Sequence, residues 1–160
     1  MKRTPRIPDR TMKVFYGFDS LPRFSHPAVT VGSYDGVHLG HRALIERLLE
    51  EAHATHGESI VVTFDPHPRI ALGKSERLRL LTTPNEKIRL LEELGVEVLI
   101  VVRFDSAFAA LSGTEFVNRY LIGVVGAATI VAGYNHRFGH DRISCAELSG
   151  RGVKIVEVPA

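Results

Sequence analysis

The chain has one cysteine, Cys145, which excludes an internal disulfide and a zinc site built from several thiolates. A reducing cytoplasm is then the natural compartment, and Cys145 reads as an ordinary small residue. No apolar run approaches the ~20 residues that a membrane-spanning helix needs. The first twelve residues, Met1 to Met12, are basic and contain prolines but lack the apolar core of a signal peptide, so 1–12 is expected to be a flexible basic leader. Excess charge of either sign is missing too. The formal net charge is +2, and Lys2, Arg3, Arg6 and Arg10 all fall in that leader. Without a basic stripe interleaved with aromatics, nucleic acid is not an expected partner, and neither is a membrane. The Walker phosphate loop and the dinucleotide-type Gly-x-Gly-x-x-Gly are absent, as are internal repeats and low-complexity tracts.

What is present suits one soluble globular domain: 160 residues, 44% apolar and 24% charged. A first short strand is expected at Lys13–Tyr16. Five apolar runs follow, at Ala28–Val31, Ile60–Phe64, Val96–Val102, Thr129–Gly133 and Val153–Val158. They are rich in Val and Ile with little alternation, which signals strands buried on both faces. Helical patterns lie between them. Leu44, Ile45, Leu48, Leu49 and Ala52 form one apolar face of a helix over 43–55, with Gly57 as its stop. Thr83 is the expected N-cap of a second helix, with Pro84 at its first position, Glu86 completing a capping box and Gly95 ending it. A third helical region begins near Asp105 and resumes after Thr114 through Phe116, Val117 and Leu121; Ser144–Leu148 is a short fourth. Strand–helix–strand order predicts an α/β, Rossmann-like parallel five-stranded sheet with helices on both faces, and ligands beyond the carboxyl ends of its strands.

The densest chemistry is Gly32-Ser33-Tyr34-Asp35-Gly36-Val37-His38-Leu39-Gly40-His41-Arg42, between a strand and a helix. A helix start presents unpaired N–H groups and partial positive charge, which suits an anion. Gly32, Gly36 and Gly40 let a ligand approach the backbone, and His38 and His41 add donors that can follow charge developing on phosphate. The plain alternative is a polar helix cap. Zinc is a poorer fit, because His-x-x-His is not the usual helical i, i+4 pair and no third ligand is near.

Three further strand ends carry polar or aromatic groups. Thr63-Phe64-Asp65-Pro66-His67-Pro68 is a proline-stiffened turn that aims Asp65 and His67 outward, or else a rigid surface turn. Phe104, Phe108 and Leu111 follow the third principal strand. Ala132-Gly133-Tyr134-Asn135-His136-Arg137-Phe138-Gly139-His140-Asp141-Arg142 follows the fourth; there Arg137 can grip phosphate bidentately and Asn135 can donate and accept.

These segments, in this order, resemble the FMN adenylyltransferase (FAD synthetase) module of bacterial bifunctional riboflavin kinase/FAD synthetases, within the His-x-Gly-His nucleotidyltransferase superfamily. The resemblance spans roughly residues 13 to 158, which makes 13–160 the nucleotidyltransferase domain. It implies transfer of AMP from ATP to FMN, giving FAD and pyrophosphate, with Mg²⁺. It implies that Gly32, Tyr34, Asp35, Gly36, His38, Gly40 and His41 bind ATP, with His38 and His41 catalytic. Asp65, Pro66, Phe104, Leu111, Asn135, Arg137 and Phe138 would contact the flavin. Asp35 or Asp65 would meet the metal, and Asp65 could instead accept hydrogen bonds from flavin. Phe104 and Leu111 would wall the isoalloxazine, with Phe108 assigned to the core.

Two departures stand out. Tyr34 replaces the commoner Phe, keeping the ring and adding a hydroxyl. The Ser-Ser-Thr-x-Ile-Arg segment and the fused riboflavin kinase of such proteins do not occur before Ala160. The expectation is therefore an excised domain or a natural short form with weakened turnover. Another superfamily adenylyl- or cytidylyltransferase, and a non-catalytic flavin or nucleotide binder, are the competing readings.

Overall fold

The computed structural model describes residues 12–32, 39–65, 84–133 and 152–159. Six parallel strands form one sheet: β1 (Lys13–Tyr16), β2 (Ala28–Val31), β3 (Ser59–Asp65), β4 (Val98–Arg103), β5 (Thr129–Gly133) and β6 (Lys154–Val158), in the order β1-β4-β3-β2-β5-β6. The parallel α/β architecture is as expected, but the sheet has six strands and not five. Lys13–Tyr16 joins it as an edge strand, pairing with Val98–Val101 of β4.

Strand alternation sorts the core into two layers. Val29, Ile60, Val62, Val98, Ile100, Val102 and Ile130 face one side, where they meet Phe18, Phe24, Phe116, Val117 and Leu121. Ala28, Val61, Leu99 and Val131 face the other, beneath Leu44, Ile45, Leu48 and Ala52 of α1 (Leu39–Ala54) and Leu91 of α2 (Pro84–Leu94). Ile45 and Leu48 are fully buried, and each such side chain contributes about 1.5–3 kcal/mol.

α1 begins earlier than the periodicity indicates, at Leu39, and its end is built differently. His56, not Gly57, takes the left-handed conformation (φ 54°), and the Gly57 N–H closes the end by donating to the Ala52 carbonyl at 2.7 Å. Gly57 is needed for a different reason. A Cβ there would run into the carbonyl of His26, because the chain entering β2 crosses directly over it. α2 ends as expected, with Gly95 at φ 103° and the Val96 N–H donating to the Leu91 carbonyl at 3.2 Å. Thr83 and the Ser144–Leu148 helix lie outside the described residues.

On the opposite layer, Asp105 caps α3 (Ser106–Ala109) by accepting from the Phe108 N–H at 2.8 Å. Ser112 and Glu115 then form a reciprocal capping box at the start of α4 (Gly113–Glu115). α4 continues as a π-helix, Phe116–Val124, where an α-helix was expected. The Val125 N–H reaches back five residues to the Tyr120 carbonyl at 2.9 Å. Phe116, Val117, Leu121 and Val125 are the buried residues of this segment.

Carboxylates tie down the amino edge of the sheet. Ser59 and Glu97 bond reciprocally, with the Glu97 N–H donating to Ser59 Oγ at 3.0 Å and the Ser59 N–H donating to Glu97 Oε1 at 3.3 Å. Glu92 accepts from the Met12 N–H at 2.8 Å, and Glu58 from the Ser25 N–H at 3.1 Å. Glu51 joins α1 to β6, accepting from Lys154 Nζ at 2.9 Å while Arg47 reaches its other oxygen at 3.1 Å.

Two outcomes follow. Gly57→Ala is expected to lower stability by roughly 2–3 kcal/mol in urea melts, the upper part of the range for overpacking, since the clash is with backbone that cannot rotate away. The Lys154 hydrogen bond, followed by Arg47, holds the Glu51 carboxyl below its ordinary value of 4.5. A depressed carboxylate stabilises the fold above that ordinary value and loses its effect as pH falls through the folded value. Glu51→Gln should therefore lower Tm at pH 7, with a gap that shrinks as pH falls below 4.5 through the lowered folded value; a pH-independent gap would contradict the ion-pair origin.

Candidate active site

All six strands are parallel, so every carboxyl end lies on one edge, and the loops that leave it can share a ligand. The strand order reverses between β2 and β5. Their ladder pairs only Ala28 with Thr129 and Val29 with Ile130, stopping short of the carboxyl end of β2. Gly32 follows β2 at this point, anchored by its N–H donating to the Val62 carbonyl at 3.0 Å. α1 starts from the same edge, so Leu39, Gly40 and His41 form its first turn. The helix N-terminus thus stands beside the switch point, where unpaired N–H groups favour an anion. Tyr34, Asp35, Gly36 and His38 lie outside the described residues. So do Pro66, Asn135, Arg137 and Phe138.

A second feature occupies the carboxyl ends of β3, β4 and β1. Asp65 and Arg103 are register partners, and with Tyr16, Gly17 and Val101 they line a cavity of about 420 Å³. Val14 and Val101 pack on the α1/α2 layer, so alternation puts Tyr16 and Arg103 on that same side. Asp65 joins them, because its neighbour Phe64 packs on the opposite layer. Asp65 and Arg103 are both exposed. Among the described residues, no group of three His, Cys, Asp or Glu side chains could by itself hold a metal.

The expected aromatic wall is on the other layer. The Phe104 N–H donates to the Asp65 carbonyl at 3.4 Å, yet its ring turns to Phe64 (5.4 Å between centroids) and Phe108 (6.0 Å). Phe108 in turn meets Phe116 at 5.5 Å and Tyr120 at 5.8 Å, and Tyr120 stacks on Phe18 at 4.7 Å. Leu111 is half-buried beyond α3, its N–H donating to the Phe108 carbonyl at 3.2 Å. The structure therefore brings Asp65 and Phe104 together in backbone but sets their side chains on opposite faces of the sheet. Tyr16 and Arg103 went unnoticed in the sequence. The available signal was their place at strand ends, on the same alternating face as Val14 and Val101.

Residues 22–155 match the family model described as FAD synthetase. The chain belongs to the FAD synthetase family. A bifunctional riboflavin kinase/FMN adenylyltransferase of Bacillus subtilis is 40% identical over 112 residues, covering 69% of this chain and 35% of that protein. One from Escherichia coli K12 is 35% identical over 133 residues, covering 82% and 42% respectively. The chain thus spans well under half the length of these relatives. Among solved structures, a Streptococcus pneumoniae protein called a macrolide-efflux protein superposes with a TM-score of 0.81 at 29% identity, over 92% of this chain and 51% of that one. Pantoate-beta-alanine ligase from Francisella tularensis shares the fold at a TM-score of 0.56 and 15% identity, over 92% of this chain and 67% of that one. Among the described residues, no helix is long and apolar enough to cross a membrane.

The aromatic block gives a stability prediction. Phe108→Ala removes one ring from contact with four others and should cost about 2–4 kcal/mol in chemical denaturation, somewhat below a fully buried phenylalanine because Phe108 is half-buried. A loss under 1 kcal/mol would show that the rings pack loosely enough to close over the gap.

Proposed function

We propose that this chain transfers AMP from ATP to FMN, giving FAD and pyrophosphate. The observation that carries the reading is the start of α1 at the switch point of a sheet in an FAD synthetase-family chain, with His38 and His41 flanking that start in the sequence. An FMN phosphate oxygen attacks the α-phosphorus of ATP in line. The bond from that phosphorus to the bridging oxygen breaks, and pyrophosphate leaves with the electron pair. No protein nucleophile is required; the site positions two anions and stabilises charge.

Gly32, Tyr34, Asp35, Gly36 and Gly40 would cradle ATP, while His38 and His41 donate to the α-phosphate and the departing pyrophosphate. Asp65, Pro66, Asn135, Arg137 and Phe138 would contact FMN, with Phe104 and Leu111 bordering it from the aromatic side of the edge. Mg²⁺ would neutralise phosphate charge. Asp65 suits it as an exposed oxygen donor at the sheet's carboxyl edge, with Asp35 the alternative, because Mg²⁺ is commonly held by one or two carboxylates plus substrate phosphates. The relatives' bifunctional names support riboflavin kinase as the partner activity, and the single cysteine supports a reducing cytoplasm as the compartment.

Incubating the chain with FMN and Mg-ATP and following FAD and pyrophosphate tests the reading. His38→Ala and His41→Ala should each slow turnover by roughly 10²-fold or more, the scale for loss of one transition-state donor. Near-parental rates in both would remove the two histidines from the chemistry, and FMN binding without any FAD would reduce the chain to a flavin binder.

A further inference from the structure

Among the described residues, the buried polar ones are Thr30, Ser59, Thr63 and Thr129, and strand alternation puts all of them on the α1 side of the sheet. Ser59 and Thr129 belong to the amino edge, where Glu97 engages Ser59 and Thr129 opens β5. Thr30 and Thr63 are at the other end. Thr30 is fully buried, one residue past Val29, where the β2–β5 ladder stops. Thr63 is 3% exposed and pairs in register with Val101 of β4. On its other side is Gly32, set abreast of it by the β2–β3 register and by the Gly32 N–H that donates to the Val62 carbonyl at 3.0 Å. α1 starts at this edge and runs back across β2 and β3, so its first half covers both threonines.

Packing alone does not call for a hydroxyl at either position. Valine has the same branched shape, and the neighbouring strand residues on this face, Ala28, Val61 and Leu99, are all apolar. A buried hydroxyl is costly unless it is hydrogen-bonded, and neither threonine is without a partner. We propose that Thr30 and Thr63 are positioning residues, whose hydroxyls pin the first turns of α1 and the Gly32 strand end against the carboxyl ends of β2 and β3. This inference rests on the adenylyl-transfer reading. Both side chains are too deeply buried to meet a substrate, so they act through the helix start. The N–H groups there take their direction from the backbone alone. Donors that must follow charge as it develops lose much of their effect when they are slightly misplaced, so the rate suffers before binding does.

The test compares the parent chain with Thr30→Val, Thr63→Val, Thr30→Ser and Thr63→Ser, with Thr129→Val as a control from the amino edge. Initial rates of FAD formation from FMN and Mg-ATP give kcat and KM, melts check folding, and amide hydrogen exchange is followed along α1. Each valine variant should lower kcat about tenfold while KM for FMN stays within about twofold. Each serine variant should recover most of the rate, because it restores the hydroxyl. In the valine variants exchange should quicken over 43–46 and stay as in the parent over 49–54. Thr129→Val should leave both kcat and the exchange over 43–46 unchanged. A parental kcat in both valine variants of an active chain would overturn the inference. So would a fall in kcat that serine does not recover, or one that Thr129→Val shares, since either marks a general loss of packing. If the parent makes no FAD, adenylyl transfer fails as the function, and exchange then decides on the threonines: an unchanged pattern over 43–46 overturns their positioning role as well.

Discussion

Parallel pairing of β2 with both β3 and β5 is the constraint on which the rest depends. A parallel strand cannot return by a tight turn, and α1 and α2 cross one face of the sheet between the strands they join. Those crossings bury that face, and the parallel arrangement collects every carboxyl end, with the loop that follows it, on a single edge. The reversal of strand order at β2 and β5 then opens that edge at one place, and the N-terminus of α1 lies beside it. Chemistry at the edge is a consequence of topology before any side chain is considered.

The two edges of the sheet are held in different ways. At the amino edge, Glu58, Glu92 and Glu97 accept from backbone N–H groups that no neighbouring strand satisfies, and the Gly57–His26 crossing packs backbone on backbone. Each carboxylate there has a defined partner. At the carboxyl edge, Asp65 and Arg103 stand side by side without one among the described residues. Satisfied polar groups rigidify a fold, while exposed charges without a protein partner are hydrogen-bonded by water and hold no fixed geometry. The contrast separates an edge tied down by side-chain hydrogen bonds from one whose charged side chains face solvent.

Much of this was legible in the sequence. The Val- and Ile-rich runs marked β2 to β6 within a residue or two, and Pro84 and Gly95 bracketed α2, because burial on two faces and helix termination both leave local traces. The π-helix was not legible, since Phe116, Val117 and Leu121 also satisfy an α-helical pattern and only hydrogen-bond register tells the two apart. The role of Gly57 was misread for a related reason. A glycine after a helix suggests a left-handed turn, whereas His56 makes that turn and Gly57 yields to a segment some thirty residues earlier. The cavity depends on which strands become neighbours. Tyr16 and Arg103 lie far apart in sequence, and only the pairing of β1 with β4 brings them to one wall.

The same alternation explains why Phe104 and Asp65, read together in sequence, diverge in space. A strand sends successive side chains to opposite faces, so Phe64 enters the aromatic block and Asp65 turns to the helix side. The block of Phe64, Phe104, Phe108, Phe116 and Tyr120 stiffens the carboxyl ends of β3 and β4 from behind. Rigid backing of this kind fixes the backbones of Asp65 and Arg103 as ladder partners, while their exposed side chains remain solvated.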